Sequence, residues 1–219
     1  MNTMRWLADN RLFEGILPEQ MEAMLRCLGS FVREYKKGEV LSLSQEKVKN
    51  IGLVLEGTVH MIKEDIWGDK TILALMKGGE LFGETFVCGS MPESTVTFQA
   101  AENCKILYLS FYKVLHSCSN SCVFHHRLIE NMVKLIADKN GQLLEKVEVI
   151  SKKTLRNKIL AYLSMQAQHQ ESSYFEIPLG RVELAQYLCV DRSALTRELT
   201  SMREEGILDY EKNTFRLLS

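Results

Sequence analysis

The sequence predicts an α+β chain in three stretches: an antiparallel β sandwich or barrel, one long helix, and a helical segment closed by a β-hairpin. Three observations carry this. Short β-type runs alternate with glycine turns over residues 31–109, an apolar stripe repeats at helical spacing without proline over residues 121–150, and helical runs flank a short turn before a terminal hairpin after residue 151. The expected segments are therefore 1–120, 121–150 and 151–219.

Composition sets the frame for these elements. The chain has 219 residues, 46% hydrophobic and 25% charged, which suits one large globular domain or two modest ones. Lys plus Arg number 27 against 28 for Asp plus Glu, a formal charge of −1, so a polybasic binder is excluded while one basic face is not. No apolar run is long enough to span a bilayer, and the first nine residues lack the apolar core of a secretory signal, so a cytoplasmic protein without membrane contact is expected. Six irregularly spaced cysteines with no CxxC pair are expected to be free thiols.

In chain order, "PEQMEAMLRCL" is an amphipathic helix with Pro18 in its first turn. The β runs "SFVREY", "EVLSL", "NIGLVLEG", "TVHMIKED", "KTILALM", "STVTFQA" and "CKILYL" are bounded by turn signals such as Lys37-Gly38, Glu56-Gly57 and Gly78-Gly79. Along the long helix Ile129, Met132, Ile136, Leu143 and Val147 form one apolar stripe, interrupted by Lys139. A stripe of that length needs a partner surface, and a second copy of the chain is the expected one. Then come "SKKTLRNKILAYLSMQAQ", "GRVELAQYL", a turn at Cys189-Val190-Asp191, and "RSALTRELTSMREEG" with Asp191 as its cap. "ILDYEKNTFRLL" folds back around Lys212-Asn213, and the order helix, helix, turn, helix, hairpin is that of a winged helix-turn-helix.

Within the last helix Ala194, Leu195, Leu199 and Met202 recur at core spacing, leaving Arg192, Ser193, Thr196 and Arg197 on the open face near its N-terminus. That end is the one such motifs place in the major groove, where Arg binds guanine bidentately and hydroxyls bond base edges or phosphates. Lys212 at the hairpin tip, with Lys152, Lys153, Thr154 and Arg216, adds candidate phosphate contacts.

Together "GGELFGETF" at 78–86, "KTLRNKILAYL" at 153–163 and "LAQYLCVDRSALTRELTSMREEGIL" at 184–208 resemble the CRP/FNR superfamily of bacterial transcription regulators over essentially the whole chain. The resemblance implies an N-terminal barrel of the double-stranded β-helix, or jelly-roll, type that senses an effector. It further implies a long dimerisation helix and a C-terminal winged helix-turn-helix that binds DNA. The implied partners are a palindromic double-stranded operator, a second copy of the chain, RNA polymerase where the protein activates, and a small-molecule effector. Gly83, Glu84, Thr85, Ser94 and Thr95 fall on the cassette that cradles a cyclic nucleotide in such proteins. Ser94, however, stands where the phosphate-binding Arg would be, and an uncharged hydroxyl does not replace a bidentate charge-assisted bond. An effector other than cyclic AMP is therefore expected. Ser193 departs likewise from a glutamate that reads cytosine, and Cys189 from a turn glycine. The end of the long helix, residues 148–153, is the expected coupling element.

Two alternatives remain open on the residues. "HSCSNSCVFHH" gathers His116, Cys118, Cys122, His125 and His126, with Cys88 and Cys104 elsewhere, and thiolates and imidazoles bind metals or switch by oxidation. The N-terminal cysteine cluster of oxygen-sensing relatives is missing, since only Cys27 precedes residue 88, and no metal site is assigned. A cupin-type enzyme needs several histidines inside the barrel, and residues 31–109 hold only His60, so no catalysis is expected. A ligand-binding protein without DNA binding leaves "DRSALTREL" unexplained.

Overall fold

The structure, a computed structural model, describes residues 7, 9–115 and 123–218. Of the residues named above, His116, Cys118 and Cys122 lie outside the described residues. The chain gathers into two compact units: residues 1–69 with 73–141, and residues 142–219 with 70–72.

The first unit begins with a 3₁₀ turn, Arg11–Phe13, whose cap Asn10 accepts from the Leu12 amide. Helix α1 (Pro18–Cys27) follows, with its proline in the first turn where no amide partner is needed. Strands β1 (Phe31–Tyr35), β2 (Val40–Ser42), β3 (Asn50–Glu56), β4 (Val59–Glu64), β5 (Lys70–Met76), β6 (Leu81–Phe82), β7 (Thr97–Ala100) and β8 (Cys104–Ser110) form two four-stranded sheets, ordered β1-β8-β3-β6 and β2-β7-β4-β5. Strands β1 with β8, β2 with β7, β3 with β6 and β8, and β4 with β7 pair antiparallel, as expected. The barrel is thus two separate sheets rather than one closed ladder. Its edges explain this: β6 has two residues, and β2 has three with a register shift, too few to carry hydrogen bonds round a corner.

Aromatic rings join the inner faces of the two sheets, Phe82 packing on Phe98 of the facing sheet at 5.1 Å and edge-on to Tyr108 of its own sheet at 6.0 Å. Phe82 lies over Gly52, where a Cβ would come within 2.2 Å of the ring, so only glycine admits this packing. Helices α2 (Glu84–Cys88) and α3 (Phe111–Leu115) lead to α4 (Val123–Ile150), the long helix. Leu128, Met132 and Leu135 of α4 enter the core with Leu12, Phe13 and Leu107, and Ile129 and Ile136 pack against it. Asn131 donates to the Leu12 and Glu14 carbonyls at 3.1 and 2.9 Å, pinning α4 to the N-terminal turn.

The second unit holds the end of α4, then α5 (Leu155–His169), β9 (Tyr174–Glu176), α6 (Arg181–Leu188), α7 (Arg192–Glu204), β10 (Leu208–Glu211) and β11 (Thr214–Leu217). Thr154 caps α5 by accepting from the Asn157 amide. The expected hairpin is present, with β9 added as a third strand in the order β10-β11-β9. Leu163, Leu188, Leu195, Leu199, Met202 and Phe215 are fully buried here, which fixes α7 by its predicted apolar stripe. Among the described residues no helix is long and apolar enough to cross a membrane.

Candidate functional sites

The turn before α7 is built from a strained residue and a strong cap. Cys189 closes α6 in the left-handed region (φ 55°, ψ 53°), a conformation that costs a non-glycine residue about 1–2 kcal/mol. Asp191 then caps α7 by accepting from the Ala194 amide at 2.8 Å, and the Ser193 hydroxyl donates to the same carboxylate oxygen. These two donors, with the Arg197 charge adding to them, hold the Asp191 carboxyl below the usual range.

Of the four side chains expected on the open face, two have their donors engaged within the helix. Ser193 is tied to Asp191, and the Thr196 hydroxyl donates to the Arg192 carbonyl at 2.9 Å. Arg192 and Arg197 are exposed at the same end of the helix. Lys212 is exposed at the hairpin tip with φ 52°, and its carbonyl accepts from Arg181 at 3.4 Å. Arg181 in turn stacks on Tyr210 at 4.8 Å. Lys153 and Arg216 are exposed, while Lys152 pairs with Glu148 at 3.1 Å.

Two positioning residues escaped the sequence reading. Arg156 of α5 reaches one acid of α7 and one at its C-cap, donating to Glu198 at 2.6 Å and forming a fork with Glu205 at 2.7 Å. The guanidinium holds the Glu205 carboxyl down at about 2, and the paired acids raise Arg156 further. Glu198 and Glu205 lie seven residues apart, two turns along one helix face, and that spacing was the available signal. Lys146 of α4 is buried at 5% exposure. Its ammonium donates to the Tyr187 carbonyl at 2.8 Å and to the Ile72 carbonyl, and sits 3.7 Å from the centre of the Tyr187 ring. Burial pushes it down to about 8.

In the first unit the cassette residues are divided between buried and exposed positions. Gly83 takes φ 80° before α2 and has Val48 and the Asn50 carbonyl within 3.4 Å of any Cβ, so glycine is required there. Glu84 is buried, and its Oε1 pairs at 2.9 Å with Lys139 of α4, which also donates to the Leu81 carbonyl at 2.9 Å. Glu84 Oε2 is buried with no hydrogen-bond partner among the described residues. Ser94 is buried at 2% exposure, its hydroxyl donating to the Val96 carbonyl and accepting from the Val96 amide. Thr85 and Thr95 are exposed, and the Thr95 carbonyl accepts from Lys63 at 2.7 Å. Glu84 and Ser94 are therefore each engaged with the chain itself, through different partners.

Among the described residues the cysteines are free thiols. Desolvation, then the Glu84 charge, pushes the Cys88 thiol up to about 11, and burial raises that of Cys104, so both are protonated near neutrality. His125 is buried, which lowers its pKa. No group of three or more His, Cys, Asp or Glu able to hold a metal occurs among the described residues.

Comparison with known proteins agrees with this architecture. Residues 32–120 match the model of the cyclic nucleotide-binding domain, and residues 157–219 match that of the Crp-like helix-turn-helix domain. The chain is 24% identical over 197 residues to a cyclic AMP receptor protein of Thermus thermophilus, covering 90% of this chain and 87% of that one. It is also 24% identical over 174 residues to a probable transcriptional activator of Rhizobium leguminosarum bv. viciae, covering 72% of this chain and 65% of the relative, just under two thirds of its length. The structure of the c-di-GMP responsive global regulator CLP of Xanthomonas campestris superimposes with a TM-score of 0.76 at 17% identity, covering 92% of this chain and 99% of that one. With a sensor-type β domain, a long helix and a winged helix-turn-helix in the matching order, the chain belongs to the CRP/FNR superfamily of transcription regulators.

Proposed function

We propose that this regulator works as a homodimer that reads a two-fold symmetric operator and is gated by a small organic effector other than cyclic AMP. The single observation that carries the DNA-reading part is the pair Arg192 and Arg197, exposed at the capped start of a helix that Arg156 clamps from behind. Arg192 and Arg197 contact bases or phosphates. Ser193 and Thr196 support them through their acceptor lone pairs, and Lys212 neutralises phosphate from the wing.

The dimer seam lies on α4. Met132 is 5% exposed and Ile129 and Ile136 pack on the chain's own core, so those three hold α4 to its own unit. Open to a second copy are Val133 (58% exposed), Leu144 (70%) and Val147 (56%), with Leu143 half-buried beside them. Val133, Ala137, Asn140, Leu144 and Val147 follow four-three spacing, the seam of a two-stranded coiled coil, and Asn140 would set its register.

Support for a non-cyclic-AMP effector comes from Ser94, closed on Val96, and from Glu84, closed on Lys139. Gly83, Thr85 and Thr95 complete the cassette around them. Effector binding shifts a balance between DNA-competent and incompetent dimers, transmitted through residues 148–153. Where the protein activates, it does so by contact with RNA polymerase, in the bacterial cytoplasm.

Selection from random duplexes by the purified chain tests this. The expected product is a two-fold symmetric sequence with half-sites about one helical turn apart. Failure to enrich any sequence, or enrichment of an asymmetric one by a monomer, overturns the proposal.

A further inference from the structure

We propose that Lys139 is a tethered internal ligand of the sensor domain, and that the place it fills beside Glu84 is a binding site for a primary alkylammonium group. This deepens the effector-gated reading above and rests on it.

Four observations lead there. The Lys139 side chain is 12% exposed and that of Glu84 4%, so the pair is largely withdrawn from water. Lys139 Nζ bonds on either side of the junction between β6 and α2, to the Leu81 carbonyl and to Glu84 Oε1, each at 2.9 Å. The partners come from segments 55 residues apart, and the ammonium arrives on the long helix that continues into the second unit. Lastly, Glu84 Oε2 is buried without a hydrogen-bond partner among the described residues.

That orphan oxygen distinguishes the pair from a finished structural bridge. A buried carboxylate held only for stability has its acceptors satisfied, because each unpaired one keeps its full desolvation penalty. Here one acceptor is left without a donor. Aromatic rings lie on the same elements, Phe82 in β6 and Phe86 in α2, and both pack against Phe98 at 5.1 and 6.3 Å. A four-carbon stem ending in an ammonium, with a carboxylate and a carbonyl to receive it, is butylammonium attached to a helix. Because the stem belongs to α4, occupation of the site ties the β6–α2 junction to that helix, and loss of occupation releases it. Without the ammonium, Glu84 would be a buried unpaired charge, which the surrounding segment must rearrange to hydrate.

The experiment uses the full chain and the duplex that the wild type selects. Lys139→Ala is titrated with that duplex, with and without tens of millimolar n-butylammonium chloride, and with tetramethylammonium, which cannot donate, as control. The expected result is a loss of DNA affinity of roughly tenfold or more, consistent with ordinary coupling energies. n-Butylammonium restores most of it and raises the variant's melting temperature, tetramethylammonium does neither, and the wild type responds to neither. Wild-type affinity in a folded Lys139→Ala overturns the proposal, as does a loss that the amine does not restore. If Lys139→Ala does not fold, the neutral pair Glu84→Gln with Lys139→Met decides: folded with roughly tenfold weaker DNA binding sustains the proposal, and folded with wild-type affinity overturns it. Melting reports amine binding without DNA. A wild type that selects no duplex therefore sinks the regulator reading by itself, whereas a variant blind to the amine sinks the internal ligand.

Discussion

The two units treat their functional polar groups in opposite ways. Around α7 the polar groups that build the scaffold are paired, Asp191 with Ala194 and Arg156 with Glu198 and Glu205, while Arg192 and Arg197 stand exposed. At the cassette the groups in functional positions are themselves engaged, Glu84 with Lys139 and Ser94 with Val96. A site that must grip an external anion such as DNA keeps its charges solvated until contact, since hydrated cations cost little to hold in readiness. A buried site cannot leave a carboxylate bare, so the chain supplies the partner from its own helix.

Substitutions can break or sharpen this contrast. Ser94→Arg has the largest expected effect. Were the cassette an open nucleotide site lacking only its Arg, the variant would gain cyclic AMP binding. With Ser94 at 2% exposure it should instead lose ~3 kcal/mol or more of stability, as for an uncompensated buried charge, and calorimetry should detect no cyclic AMP.

Lys146→Met examines the one buried ammonium of the second unit described above. The Lys146 value falls from 10.5 to about 8, so the folded state disfavours the charged form. The unfolded chain binds the extra proton between those values, so stability should rise with pH from 8 to 10.5 and carry a constant penalty below 8. The methionine variant should be more stable at neutral pH by up to about 3 kcal/mol and should lack that alkaline rise, read from urea midpoints across pH. A destabilised variant would mean that the contacts to Tyr187 outweigh the desolvation.

Arg197→Ala should lose ~1–3 kcal/mol of specific DNA binding while remaining a dimer by sedimentation. Full affinity removes the role given to that side chain. The smallest effect is expected of Arg156→Met, because the clamp is open to solvent. Glu205 is lowered from 4.5 to about 2, so its pairing stabilises the fold above 4.5 and fades as pH falls towards 2. The variant should flatten the acid limb of unfolding in that window, and an unchanged limb would show the fork to be without energetic weight.

The second unit was the more legible because its signals are local. Leu195, Leu199 and Met202 repeat within one helix, Asp191 stands at its start, and Cys189 occupies a turn position that demands a positive φ. The long helix was legible as a helix but not in its facing. It carries two apolar stripes, Ile129-Met132-Ile136 and Val133-Leu144-Val147, and periodicity alone cannot say which one the β-sheets cover. Lys139 looked like a flaw in the stripe, and its partner lies 55 residues earlier, beyond any local pattern. Ser193 and Thr196 are exposed, but their donors serve the helix and its cap, since short hydroxyls reach nearby acceptors first. β9 was missed because three residues carry too little alternation to register.

The boundary between the two compact units falls between Gly141 and Gln142, in the middle of an unbroken helix. A Cβ at Gly141 would meet nothing within 4 Å, so the backbone there serves neither core. Residue 141 is thus a natural splice point. A hybrid cut there keeps helical phase, but residues 70–72 belong with the second unit and Ile72 is held by Lys146, so that short stretch of β5 has to travel with the second unit if its interior is to stay closed.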